Sequence, residues 1–216
     1  MNYDKYIISF CPGSSGRFVT ALLDSLILRK NHYIDLCPYN SAHNHGFYRG
    51  VNLIDPNHPC VYHDLSFDSR ASEPIHSNIL HTHVFPDFEL INLINSRFSD
   101  IGIIIIKVDL SDLREVFFNS AYKNHNRIPE FDDNKIAGFK NYWKKFINDE
   151  TNVIAYPKNC LILPYSSIYE KTENGFLVLE FLSNFTAIKE IPISTIDACY
   201  RYSDTRNRLI KEYSLR

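Results

Sequence analysis

Two patterns of hydrophobic and polar positions alternate along this chain. Short, nearly continuous apolar runs are separated by longer stretches in which apolar residues return every third or fourth position. The first run, Tyr6-Ile7-Ile8-Ser9-Phe10, is rich in β-formers and predicts a strand. Pro12, Gly13 and Gly16 break it, and Phe18, Leu22, Leu23, Leu26 and Ile27 then repeat at helical spacing as far as about Arg29. Asn78–His83 predicts another short strand. Pro86 and Asp87 open a helix with Leu90, Ile91, Ile94 and Phe98 on one face. Ile101–Val108 is apolar along most of its length, as a strand covered on both faces of a parallel sheet must be. Asp109, Ser111 and Asp112 follow where a helix start favours acidic and capping groups. There Ser111, Asp112 and Arg114 read as solvated, and Leu113, Val116, Phe117 and Ala121 form the stripe. Ile136, Phe139, Trp143, Phe146 and Ile147 share the register of a further helix, Cys160–Leu163 predicts a strand, and Gly175–Phe185 a helix with Leu177, Phe181 and Phe185 on one side. From about Thr195 the chain reads as helical, carrying Arg201, Arg206, Arg208 and Lys211.

Strands alternating with helices predict βαβ units, hence an α/β fold with a parallel sheet, in a single domain spanning all 216 residues. Residues 31–78 depart from the pattern. They are rich in Asn, His, Pro and Tyr, lack periodicity, and predict a long irregular excursion of the kind that holds a substrate. In parallel sheets, ligands bind beyond the carboxyl ends of strands. Cys11–Arg17, His81–Pro86 and Lys107–Asp112 are all expected at such ends.

Composition narrows the classes. A net charge of −2 leaves no global basic field for nucleic acid or anionic lipid. No apolar run is long enough to cross a bilayer. The five cysteines form no CxxC pair and read as reduced thiols, and the N-terminus lacks the pattern of a secretory signal, so a cytoplasmic location is expected. Tyr142-Trp143-Lys144-Lys145-Phe146 reads as core plus surface lysines, not as a base-stacking platform.

The chemistry concentrates at two places. In Cys11-Pro12-Gly13-Ser14-Ser15-Gly16-Arg17-Phe18, glycines let backbone N–H groups turn inward at a helix N-terminus, the serines add hydroxyls and Arg17 adds a permanent cation. This outlines a cradle for phosphate or sulfate; the competing reading is a plain strand-to-helix turn. It is not a Walker A loop, because the lysine is absent. In His81-Thr82-His83, residues two apart on a strand share a face, so both imidazoles can serve one pocket and one of them can act as a base near neutral pH. Structural histidines are one alternative. A metal site drawing on His76, His63 or Cys60 is the other, though no zinc-ligand spacing is present and no metal is expected.

Taken together, these segments resemble the sulfotransferase family. That family has a P-K-S-G-T-like loop after its first strand and a K-T-H-L-P segment with the catalytic histidine. An apolar strand then enters R-N-x-x-D, and a later strand precedes Y-E-D and a helix ending in F-L. Here Pro12–Arg17, His81–Pro86, Ile103–Asp112, Leu161–Tyr165, Tyr169-Glu170-Lys171 and Leu177–Phe185 follow in the same order. The resemblance implies a three-layer P-loop-like fold with a central parallel sheet flanked by helices. It also implies transfer of a sulfuryl group from 3′-phosphoadenosine 5′-phosphosulfate (PAPS) to a hydroxyl or amine of a small-molecule or glycan acceptor. On this model His83 is the general base, His81 stands at the lysine position, and Gly13, Ser14, Ser15, Gly16, Arg17 and Phe18 hold the phosphosulfate. The family's 3′-phosphate arginine corresponds to Val108, beside Lys107. Its serine corresponds to Val116, with Asn119 and Ser120 one turn later, so Lys107, Asn119 and Ser120 are the expected contacts. Two alternatives use the same fold: a divergent P-loop phosphotransferase consuming a nucleoside triphosphate, and a non-catalytic nucleotide-binding module.

Overall fold

The computed structural model describes residues 3–28, 49–50, 79–98, 100–125, 131–147 and 156–215. At its centre is β1 (Lys5–Ser9), hydrogen-bonded in parallel on one side to β3 (Ile79–Thr82) and on the other to β4 (Ile101–Lys107). The two-residue β2 (Arg49–Gly50) extends the sheet beyond β3, and β5 (Cys160–Pro164) extends it beyond β4, giving the parallel order β2-β3-β1-β4-β5. Apart from β2, the excursion expected at 31–78 lies outside the described residues.

Every residue from Ile101 to Ile106 is buried. Successive strand side chains point to opposite faces, so both faces of the sheet are covered. The helices are α1 (Gly16–Leu28), α2 (Phe88–Arg97), α3 (Leu113–His125), α4 (Asp133–Tyr142), α5 (Leu177–Thr186) and α6 (Ile193–Tyr213), of which α4 has no buried residue. The molecule is thus α/β, a parallel sheet with helices over it, as the alternating pattern requires. Helix α1 packs against α5 and α6, and α3 against α4. Their apolar stripes join the strands in one core that includes Val19, Leu22, Leu26, Ile91, Val116 and Leu182.

Local chemistry accounts for several boundaries. The Asp87 carboxylate accepts from the Leu90 amide at 3.1 Å and caps α2; the Asp132 carboxylate caps α4 through the Asn134 amide at 2.9 Å. Helix α5 starts after a short antiparallel hairpin, β6 (Lys171–Thr172) with β7 (Gly175–Phe176), which the apolar spacing did not reveal.

Two expectations change. Trp143, Phe146 and Ile147 share a helical register with Ile136 and Phe139, yet α4 ends at Tyr142. The chain turns, and the Val108 amide donates to the Phe146 carbonyl at 2.9 Å, so Val108 and Ile147 form a parallel bridge just past β4. Backbone groups just past the carboxyl end of β4 pair with this segment in place of another turn of helix. Asp112 is buried, not solvated, because a short 3₁₀ turn at Leu110–Asp112 precedes α3 and turns it inward; Ser111 and Arg114 are exposed.

Candidate functional site

The carboxyl ends of β1, β3 and β4 meet around the loop from Cys11 to Ser15. The Phe10 amide donates to the Thr82 carbonyl at 3.1 Å and the Ser9 hydroxyl to the Val84 carbonyl at 2.6 Å, tying the end of β1 to the end of β3. Gly13 lies against α3. A Cβ there would fall 2.1 Å from the Val116 carbonyl oxygen and 2.8 Å from the Ser120 nitrogen, at a φ of +86° that favours glycine. Phe10 covers Gly16 just as closely, its ring within 2.0 Å of where a Cβ would sit. These two glycines are therefore required by close approach, and the approach brings α3 and the β1 end to the loop.

His83 is exposed beside the loop. Its Nδ1 lies 2.8 Å from the Phe10 carbonyl oxygen, and its ring packs edge-on against Phe10 at 4.7 Å. A carbonyl only accepts, so Nδ1 carries the proton and the lone pair of the neutral ring is on Nε2. Trp143 stands 6.1 Å from the imidazole, and Tyr142, 78% exposed, packs edge-on against Trp143 at 4.8 Å.

The loop hydroxyls turn inward. Ser14 donates to the Cys11 carbonyl at 2.7 Å. Ser15, left-handed at φ +61°, accepts from the Tyr202 hydroxyl at 2.7 Å and lies 2.8 Å from the Tyr169 hydroxyl. The Ser14 amide is engaged as well, donating to the Cys11 carbonyl at 3.2 Å, whereas a helix start leaves N–H groups of its first turn without intrahelical acceptors. Phe18 is buried and stacks on Tyr202 at 3.8 Å.

Asn119 is buried on α3. Its amide donates to the Gly13 carbonyl and to the Tyr165 hydroxyl, both at 3.4 Å. Lys107, at the end of β4, turns toward the 143–147 segment, donating to the Lys145 carbonyl at 2.7 Å over the Phe85 ring. Burial lowers its pKa. Val108 and Val116 are fully buried. Arg17 lies in the first turn of α1 and His81 in β3, paired with Ile8, but their side chains are outside the described portion. Gly13, Ser14, Ser15, Gly16, Phe18, His83, Asn119 and Ser120 are thus gathered at the loop, and Lys107 is bonded to the 143–147 segment.

Periodicity alone missed the ionic centre beneath the loop. Glu115 on α3 is 1% exposed and Arg206 on α6 is 5% exposed. Arg206 donates from Nε to Oε1 and from Nη2 to Oε2 of Glu115, each at 2.6 Å, and Tyr165 donates to Oε1 at 2.8 Å. Burial by itself would lower the Arg206 pKa, but the hydrogen bonds and charge of Glu115 outweigh it and raise the pKa. One signal was available: Cys199, Tyr202, Arg206 and Leu209 recur at helical spacing, so a charge sits within an apolar stripe.

Among the described residues, no group of three or more His, Cys, Asp or Glu side chains is placed to hold a metal, and no helix is long and apolar enough to cross a membrane. Cys11, Cys160 and Cys199 are free thiols; His63, His76, Cys37 and Cys60 lie outside the described residues. No protein-family model, curated protein or solved structure matches the chain.

Proposed function

We propose that this chain is a sulfotransferase-like enzyme on a three-layer P-loop-like fold. It moves a sulfuryl group from PAPS to a hydroxyl or amine of a small-molecule or glycan acceptor. One observation carries the reading: His83 is held by Phe10, the residue that leads β1 into the glycine loop, with its basic nitrogen at Nε2. A base and an anion cradle on adjacent strand ends are what proton removal from an acceptor beside an anionic donor requires.

The loop fits an anion through its backbone and the first turn of α1, with Arg17 as the cation of that turn. When bound, the donor supplies the activated sulfuryl group. His83 orients the acceptor and takes its proton at Nε2. Gly13 to Arg17 hold the donor's charge in place, and Trp143 stands beside the imidazole of His83.

A second reading rests on the other end of the donor. Val108 and Val116 are apolar and fully buried at the positions that correspond to the family's 3′-phosphate contacts, and Asn119 is committed to Gly13 and Tyr165. A nucleotide-binding module without transfer, or a phosphotransferase whose nucleoside triphosphate carries no 3′-phosphate, has no need of those contacts.

Calorimetry with adenosine 3′,5′-bisphosphate, adenosine 5′-phosphate and ATP with or without magnesium separates them. Binding of the bisphosphate in preference to the others, weakened by Arg17→Ala, supports the sulfotransferase. Magnesium-dependent ATP binding without bisphosphate binding overturns it.

A further inference from the structure

The loop sits on a buried polar chain that the transfer chemistry does not use. Tyr202 donates to Ser15, and Tyr165 donates to Glu115. Two links are open in direction, Ser15 with Tyr169 at 2.8 Å and Tyr165 with Tyr169 at 3.1 Å. The Glu115 carboxylate only accepts, so Tyr165 gives its proton there and stands as acceptor toward Tyr169. The chain Tyr202, Ser15, Tyr169, Tyr165, Glu115 ends on a carboxylate that Arg206 grips with two hydrogen bonds. Hydrogen bonds linked in such a chain polarise one another in a dry interior.

The same assembly is stacked. Phe18 lies on Tyr202 with rings 3° from parallel, Tyr202 lies near-parallel to Tyr169 at 5.7 Å, and the Arg206 guanidinium sits 3.9 Å from the centre of the Tyr169 ring. Both left-handed residues of the loop are tied to it, Ser15 through its hydroxyl and Gly13 through the Asn119 amide on its carbonyl. A non-glycine residue stays left-handed only where its surroundings over-determine it.

We propose that Tyr169, Tyr202 and Glu115 are positioning residues for the anion loop: the hydroxyl chain holds Ser15 left-handed and so sets the direction of the loop's backbone N–H groups. This makes α6, far along the sequence, a working part of the site. The proposal rests on the reading that the loop binds an anion.

The test uses the whole chain with Tyr169→Phe, Tyr202→Phe, Ser15→Gly and the double variant Ser15→Gly/Tyr169→Phe. The first readout needs no ligand: amide hydrogen exchange at residues 13–18, compared with Ile103–Ile106 in β4. Exchange in the loop is expected to rise about tenfold in each single variant, with β4 unchanged. The second is calorimetric affinity for adenosine 3′,5′-bisphosphate, expected to weaken about tenfold in each single variant and no further in the double variant, because both changes break one chain. Tyrosine to phenylalanine keeps the stacked rings, and should either variant fail to fold, Ser15→Gly carries the same test. Unchanged loop exchange in the folded variants overturns the proposal. Additive losses in the double variant overturn it too, since they mark separate structural roles. A wild-type chain that binds no bisphosphate defeats the functional reading instead, and the exchange data then decide alone whether the chain shapes the loop.

Discussion

Arg206 and Glu115, 91 residues apart in sequence, meet as a two-point ion pair with both contacts at 2.6 Å, sealed beneath the β1–α1 loop. Two charges taken out of water cost several kcal/mol each, recovered only when geometry and further hydrogen bonds are good. Here the fork of Arg206 matches both carboxylate oxygens and Tyr165 fills a third position.

Removing one partner leaves the other buried and uncompensated. Arg206→Ala or Glu115→Ala is therefore expected to lower stability by roughly 3–5 kcal/mol. The double change Glu115→Leu/Arg206→Met should recover most of that loss, because no orphan charge remains. Equilibrium urea unfolding measures all three; a single variant within 1 kcal/mol of wild type, taken as about the worth of an exposed pair, would contradict the buried geometry.

If the proposed function holds, His83→Ala reduces sulfuryl transfer by about 10²–10⁴-fold, the usual worth of a positioned general base. On the proposed reading, bisphosphate affinity should stay within about twofold, since His83 lies outside the loop assigned to the donor. Single-turnover assays beside calorimetry separate the two effects. Full transfer by the variant would remove His83 from the mechanism.

Two glycines make a controlled pair. Gly13→Ala drives a methyl group into the Val116 carbonyl at a φ that disfavours any side chain, so roughly 2 kcal/mol or more of destabilisation is expected, with loss of anion binding. Gly138 lies exposed in α4, where an added Cβ meets nothing within 4 Å. Gly138→Ala should stabilise by about 0.5–1 kcal/mol through helix propensity alone. Thermal melts that ranked the two variants the other way would refute this.

Burial pushes the Cys11 and Cys199 thiols up to about 12, and burial likewise pushes the Tyr202 phenol to about 12. An unfolded thiol titrates near about 8.5 and a phenol near about 10. Between those values and 12 the folded chain binds protons that the unfolded chain has released, so stability is retained at lower pH and falls as pH rises through that window. The slope is about 1.4 kcal/mol per pH unit for each such group. Urea midpoints under reducing conditions should hold steady to about pH 8 and decline by pH 10.5, with a shallower decline in Cys199→Ala. A flat profile for wild type would show that these groups are not held as described.

How much was legible follows from the reach of each signal. The run Ile103–Ile106 declares a doubly covered strand, and Asp87 declares a helix start, because burial on a regular element and capping of a first turn are written within a few residues. The gathering of Cys11–Arg17 and His83 was also legible, since adjacent parallel strands put their carboxyl ends together. Trp143–Ile147 misled, because its apolar spacing suits a helix equally well and only the backbone of Val108, past the end of β4, pairs with it. The bond of Lys107 to the Lys145 carbonyl was not legible, because a four-carbon stem chooses its partner after the strand is placed.

What the sequence by itself determined is the alternation of strand and helix, the break at Gly13 and Gly16, and the placement of a histidine and a glycine-serine loop at strand ends. All of these arise from periodicity and from backbone conformations that single residues allow. Only the tertiary structure decided that Glu115 and Arg206 neutralise each other, that Ser15 turns inward to Tyr169 and Tyr202, and that α6 underlies the loop. Those outcomes depend on which buried polar group reaches which partner. A low-dielectric interior makes that pairing obligatory, yet it is met across elements whose separation along the chain carries no local trace.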